Sequence, residues 1–168
     1  LQQDILSSVS AFFNNAKDVK AAVQKAIDEN ADLKKQVEAA VRERVGQLKG
    51  RLIEAAKEVD GVKVIAQVLP MDVEAGAVKD LAFQVSGQLP ENTFLVLGSK
   101  HDDKPLLTVM VSKDLIASRQ LHAGNLVKEA ARLIQGGGGG APHFATAGGK
   151  NTAGLDEAVA KVLELAGF

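Results

Sequence analysis

The stretch from Gly136 to Lys150, GGGGGAPHFATAGGK, holds the residue types best placed to do chemistry, with seven of the chain's 16 glycines in it. Glycine has no Cβ, so its backbone can approach another molecule closely, at the highest ordering cost of any residue. A flexible linker would separate two regions each able to fold, yet only 18 residues follow Lys150 and they read as one helix, so the run is expected to be an ordered loop. Backbone N–H groups beside cations suit phosphate and ribose contacts. The groups that could supply those contacts are Gly136, Gly137, Gly138, Gly139, Gly140, His143, Gly148, Gly149 and Lys150, with Lys113, Arg119, His122 and Lys128 on the preceding segment. A glycine surface also lies flat against a base pair, which favours recognition of folded RNA by shape over reading of a sequence. The structural alternative is that the glycines let the last helix pack tightly.

Other chemistries fit less well. His101, Asp102 and Asp103 fall on a polar turn with no second ligand cluster, so a solvated turn is expected rather than a metal site. Ser112, Ser118 and His122 do not form a recognisable triad, and no nucleophile elbow is present. The glycines match neither the dinucleotide fingerprint nor a P-loop, since Gly149-Lys150 is followed by Asn151 instead of Ser or Thr.

Composition sets the frame. A hydrophobic fraction of 46%, a charged fraction of 24% and a net charge of -1 describe a folded globular chain without a global basic excess. The charge is segregated, however: residues 60–112 hold four basic and seven acidic side chains, and residues 113–150 hold five basic and two acidic. The chain has no cysteine, which excludes disulfides and thiolate chemistry. No apolar run reaches bilayer length and no signal peptide is seen, so a cytoplasmic setting without membrane contact is expected. The start at Leu1 suggests a piece of something longer. With six Phe and neither Trp nor Tyr, an aromatic platform stacking several bases is not expected.

The elements that must position the glycines follow from periodicity. Residues 1–13 read as a short amphipathic helix, ended by Asn14-Asn15. Residues 17–59 are expected to form one long helix whose seam includes Val37, Val41, Val45, Leu48 and Leu52 at heptad spacing. That seam is filled either by the first helix folding back as a hairpin or by a second copy of the chain. Asp60-Gly61 marks the change to strand period. Strands are expected over 62–69, 93–98 and 106–111, with a helix capped by Asp72 running to about Gln88. Strands two and three should form an antiparallel hairpin. The connection 113–119 has no clear type. A helix opens at His122, His143 to Ala147 forms a short edge strand, and a helix over 156–166 closes the chain. The fold class is α/β (α+β): a long helical arm or hairpin (1–60), then a small mixed β-sheet domain packed with helices and bearing a Gly-rich loop (61–168).

The segment HAGNLVKEAARLIQGGGGGAPHFATAGGK, the Val62-Lys63-Val64 strand after a long helix and the Ser112-Lys113-Asp114-Leu115 turn together resemble the C-terminal domain of alanyl-tRNA synthetases, of the DHH-associated type. The resemblance implies a domain that is not itself catalytic within an ATP-dependent ligase. It implies binding to tRNA(Ala), chiefly at its elbow, contact with the other domains of the parent, support of aminoacylation and editing, and dimerisation through the helical part. It implies no cofactor in this domain, while the parent would use ATP, magnesium and zinc. DHH phosphoesterases share the domain type, so a substrate-binding domain of such an enzyme is the enzyme-class alternative, and a purely structural dimerisation module is the third. Ala141-Pro142 stand between the glycines and His143, where the phosphoesterases favour a histidine directly, and the Asp-His-His metal motif is absent.

Overall fold

The computed structural model describes residues 1–168. They form two compact units, Leu1–Glu43 and Arg44–Phe168. No helix is long and apolar enough to cross a membrane.

In the first unit, α1 spans Gln2–Phe12 and α2 (Val19–Glu54) begins. The break between them is made by Asn14 and Asn15, at φ 55° and 58°, a left-handed conformation asparagine tolerates better than most residues. The Ala21 N–H then donates to Asp18 Oδ1 at 2.9 Å, a cap bond that starts α2. No residue of this unit is buried. Leu1, Ile5, Leu6 and Phe12 of the first segment, and Ile27, Leu33 and Val37 of the second, are all more than half exposed. The single chain leaves this part of the apolar stripe in water.

In the second unit the same stripe is covered. Val45, Leu48 and Leu52, on the last turns of α2, are buried at 7%, 4% and 0% exposure. The unit is built on a six-stranded sheet ordered β1-β2-β3-β4-β6-β5. Its strands are β1 (Lys57–Val59), β2 (Val62–Asp72), β3 (Thr93–His101), β4 (Lys104–Val111), β5 (Gly137–Gly140) and β6 (Phe144–Gly148). Only β2 and β3 run parallel, joined by α3 (Ala75–Gln88); the other pairs are antiparallel. Alternation along the strands sorts side chains to two faces. Val62, Val64, Phe94, Val96, Leu107, Val109, Ala145 and Ala147 meet α5 (Ala123–Ala130) and α6 (Leu155–Ala166) in one cluster. Ile65, Leu95, Leu97 and Met110 lie on the other face, where α3 packs on β3 and β4.

The sheet departs from the sequence reading at several points. Residue 72 does not cap a helix: β2 continues past Pro70 because pairing resumes at Asp72↔Lys100 after an irregularity, and Glu74 takes the N-cap position of α3 without a side-chain bond. Residues 113–119 are a helix, α4 (Lys113–Arg119), stopped by Gln120 in the left-handed region at φ 54°. The edge strand expected over 143–147 is β6, one place in from the edge. The edge itself is β5, so four of the five consecutive glycines form a strand and not a loop. The β3–β4 hairpin forms as expected. Asp102 and Asp103 turn it at φ 48° and 59°, the positive pair a two-residue hairpin turn requires.

Beside that turn, His101 Nδ1 lies 2.6 Å from Asp72 Oδ1. This hydrogen bond raises the His101 pKa above its ordinary 6.5; desolvation opposes it, and the charges of Asp102, Asp72 and Glu74 add to it. The cluster is not arranged to hold a metal ion. A raised folded-state pKa stabilises the fold fully below the unfolded value and ceases to do so as pH rises through the folded one. His101→Gln should therefore flatten the pH dependence of denaturant unfolding from about pH 6.5 upward, and a profile identical to wild type would remove the tie. In the core, Leu52→Ala should cost about 2–5 kcal/mol in urea unfolding, whereas Val37→Ala should change stability by less than about 0.5 kcal/mol.

Candidate nucleic-acid interface

The glycine run is positioned by the helix before it and the strand after it. The α5 helix ends in a 3₁₀ turn, Ala131–Ile134, and Gln135 reverses the chain at φ 52°. The Gly136 N–H donates back to the Ala131 carbonyl at 3.0 Å, and β5 then pairs with β6 from Gly137↔Gly148 to Gly140↔Ala145. At the far end the Ala141 N–H donates to the Phe144 carbonyl at 2.9 Å, closing a turn over Pro142 and His143.

The glycines divide into two groups. A Cβ on Gly136 would stand 1.8 Å from the Gly148 carbonyl oxygen, one on Gly138 2.2 Å from that of Thr146, and one on Gly140 2.6 Å from that of Phe144. Gly149 would meet the Ile134 oxygen at 2.1 Å, and Gly124 of α5 would meet the Gly140 oxygen at 2.4 Å. These positions exist for close backbone packing. Gly137 and Gly139 are different, because a Cβ on either meets nothing within 4 Å. All four residues of β5 are exposed. As the edge of the sheet, β5 offers unpaired backbone N–H and C=O groups along its outer side.

The charged candidates do not all gather there. Lys150 stands at the Gly136 end, where its N–H and that of Asn151 donate to the Ile134 carbonyl at 2.8 and 3.0 Å. His122 stands at the Gly140 end as N-cap of α5, its Nδ1 accepting from the Asn125 N–H at 3.3 Å. The Ala123 N–H donates to the Pro142 carbonyl at 2.9 Å, which ties that cap to the β5–β6 turn. Lys128 is exposed on α5, one turn on from Gly124. His143 and Lys113 line one cleft at the same end of the sheet.

Arg119 is set apart. Its guanidinium donates to the Asp60 carbonyl at 3.1 Å and lies 5.1 Å from the Phe168 ring centroid, on the side of the sheet where β1 and β2 turn. Next to Lys113, burial alone would push the Asp114 carboxyl up, but the Ser112 hydroxyl and the amides of Asn92, Asp114 and Leu115 hold it below the usual carboxylate range. Of those contacts the Asn92 N–H to Oδ2, at 2.9 Å, has full hydrogen-bond geometry, while the buried Oδ1 has no partner.

Two neighbours escaped the sequence reading. Phe83 and Phe144 stack at 5.2 Å, with Lys79 beside both rings. Only the Lys79/Phe83 spacing of one helical turn hints at this, since Phe144 joins them through the sheet.

The geometry defines a class: a small mixed α/β domain whose glycine edge strand is flanked by basic groups. The DHHA1 domain matches residues 61–167, and the chain belongs to that family. Alanine–tRNA ligases resemble it over nearly its whole length. That of Bacteroides fragilis strain YCH46 is 58% identical over 99% of this chain and 19% of the ligase. The Parabacteroides distasonis ligase is 44% identical, again over 99% of this chain and 19% of the relative. The chain thus spans about a fifth of the length of these relatives. Among solved structures, the C-Ala domain of Aquifex aeolicus alanyl-tRNA synthetase superposes with a TM-score of 0.58 at 25% identity, covering 67% of this chain and 98% of that domain. A DHH-domain protein from a family of ribosomal proteins shares the fold, at 13% identity and a TM-score of 0.50 over 78% of this chain and 32% of that one. The chain is thus similar over nearly its whole length to alanine–tRNA ligases, and over two thirds of it to the C-Ala domain.

The division among the glycines gives a direct expectation. Gly149→Ala should cost at least about 1–3 kcal/mol in denaturant unfolding, as overpacking does, and Gly139→Ala should stay within about 1 kcal/mol of wild type. Equal losses at both positions would contradict it.

Proposed function

We propose that this chain is the tRNA-holding module of an alanine–tRNA ligase, and that it grips the elbow of tRNA(Ala) along β5. The observation behind this is the open side of Gly137 and Gly139 on a strand whose outer edge has no partner strand, with Lys150 at one end and His122 at the other. Unpaired N–H groups and a surface free of side chains let a flat, anionic partner come close, and the few cations attract phosphate without reading bases. Such a module performs no bond chemistry. It holds one tRNA while aminoacylation and editing occur on the other domains of the ligase, in the cytoplasm. The exposed stripe of Ile27, Leu33 and Val37 in the first unit is the part of this chain suited to contact a second copy or another domain of the parent.

Binding of a tRNA(Ala) transcript at 50 and 200 mM salt tests the reading. Wild type should weaken roughly tenfold between the two, as about two neutralised phosphates require. A Gly137→Glu and Gly139→Glu double variant, whose side chains enter open space, should remain folded and lose binding at both. Undiminished binding by that variant would take the glycine strand out of the interface.

A further inference from the structure

Residues paired in register share a face of the sheet. Gly139 pairs with Thr146, and Phe144 pairs with Met110, so the open side of the glycine strand continues through Thr146 to Phe144. This is the face opposite α5, whose side chains cluster with Ala145 and Ala147. Phe144 stacks on Phe83 of α3, with ring planes tilted by 41°. Phe83 is 45% exposed. Lys79, one turn earlier, holds its Nζ 6.0 Å from the Phe83 centroid and 5.8 Å from that of Phe144. Phe83 also walls a cleft of about 590 Å³ that includes Met110, Lys113 and His143. His143 belongs to the turn joining the glycine strand to β6, so cleft and strand are parts of one continuous surface.

The half-exposed ring of Phe83, the apolar side chain of Met110 and the basic groups Lys113 and His143 in the cleft wall form the combination that holds an unpaired base and its phosphate. The cleft volume falls in the range of small-molecule sites. Glu91 and Asp114 also line it, and their like charge disfavours a polyanion. We propose that this cleft takes one unstacked nucleotide of the bound RNA, its base against Phe83 and its phosphate beside Lys113 and His143. The proposal rests on the reading that RNA lies along the glycine strand.

The test uses the whole chain. In one arm, ¹⁵N-labelled protein is titrated with guanosine monophosphate and, separately, with inorganic phosphate. Amide shifts at Phe83 and Ser86 with the nucleotide but not with phosphate are expected, His143 responding to both; equal shifts at Phe83 and Ser86 with both, or none with the nucleotide, would overturn the proposal. In the other arm, tRNA transcript binding is compared for wild type, Phe83→Ala, Phe83→Leu and Phe83→Tyr, each checked for folding by thermal melting. Loss of one stacked base should weaken binding at least fivefold in the Ala and Leu variants. The Tyr variant should restore it, and the salt dependence should not change. Equal tRNA binding by all four would overturn the proposal and leave the glycine strand's role intact, even if free nucleotide binds. Absence of tRNA binding by wild type would remove both readings.

Discussion

Close approach between backbones, possible only where no Cβ intervenes, is the constraint on which this domain depends. Gly136, Gly138 and Gly140 let the edge strand settle against β6, Gly149 lets the following turn reach the Ile134 carbonyl, and Gly124 lets α5 reach Gly140. A single methyl group at any of these would separate elements that now touch. The ordering cost of so many glycines is large, and it is offset by the core beneath, where Val127, Ala130, Ile134 and Val162 are fully buried. Gly137 and Gly139 bear the same cost without any packing demand, which is why a functional reading attaches to them and not to the run as a whole.

The strands around the glycines were readable because their side chains follow simple rules. Val62, Val64, Phe94, Val96, Leu107 and Val109 alternate toward one core while Ile65, Leu95, Leu97 and Met110 fill the other face, so the strands read as near-continuous apolar runs. The glycine strand was not readable, because glycine has low strand propensity and its local signal is that of a loop; pairing with β6 decides its conformation. The three residues of β1 are too few to show a period. Asp72 has the chemistry of a helix cap, yet the sheet claims it through its pairing with Lys100.

The candidate site was legible in part. Residue types gave the glycines, Lys150, His122 and His143, which the topology does bring to one end or the other of β5. Arg119 belongs to the same basic segment but contacts Asp60 and Phe168 instead, a distinction that depends on how the sheet is wound and not on the local sequence. The heptad seam shows the same limit. Its spacing is continuous from Val37 to Leu52, but Leu52 is fully buried in the second unit while Val37 remains 63% exposed. Periodicity identifies the apolar face and says nothing about what covers it.

Amide hydrogen exchange of residues 137–140 with and without tRNA(Ala) decides whether RNA lies along the glycine edge strand. Those of these amides that point away from β6 carry no ladder bond and should exchange fast in the free chain. Saturating tRNA should slow them markedly, with a smaller effect at the β1–β2 turn near Arg119. Unchanged exchange at Gly137 to Gly140 while tRNA is bound would contradict that placement.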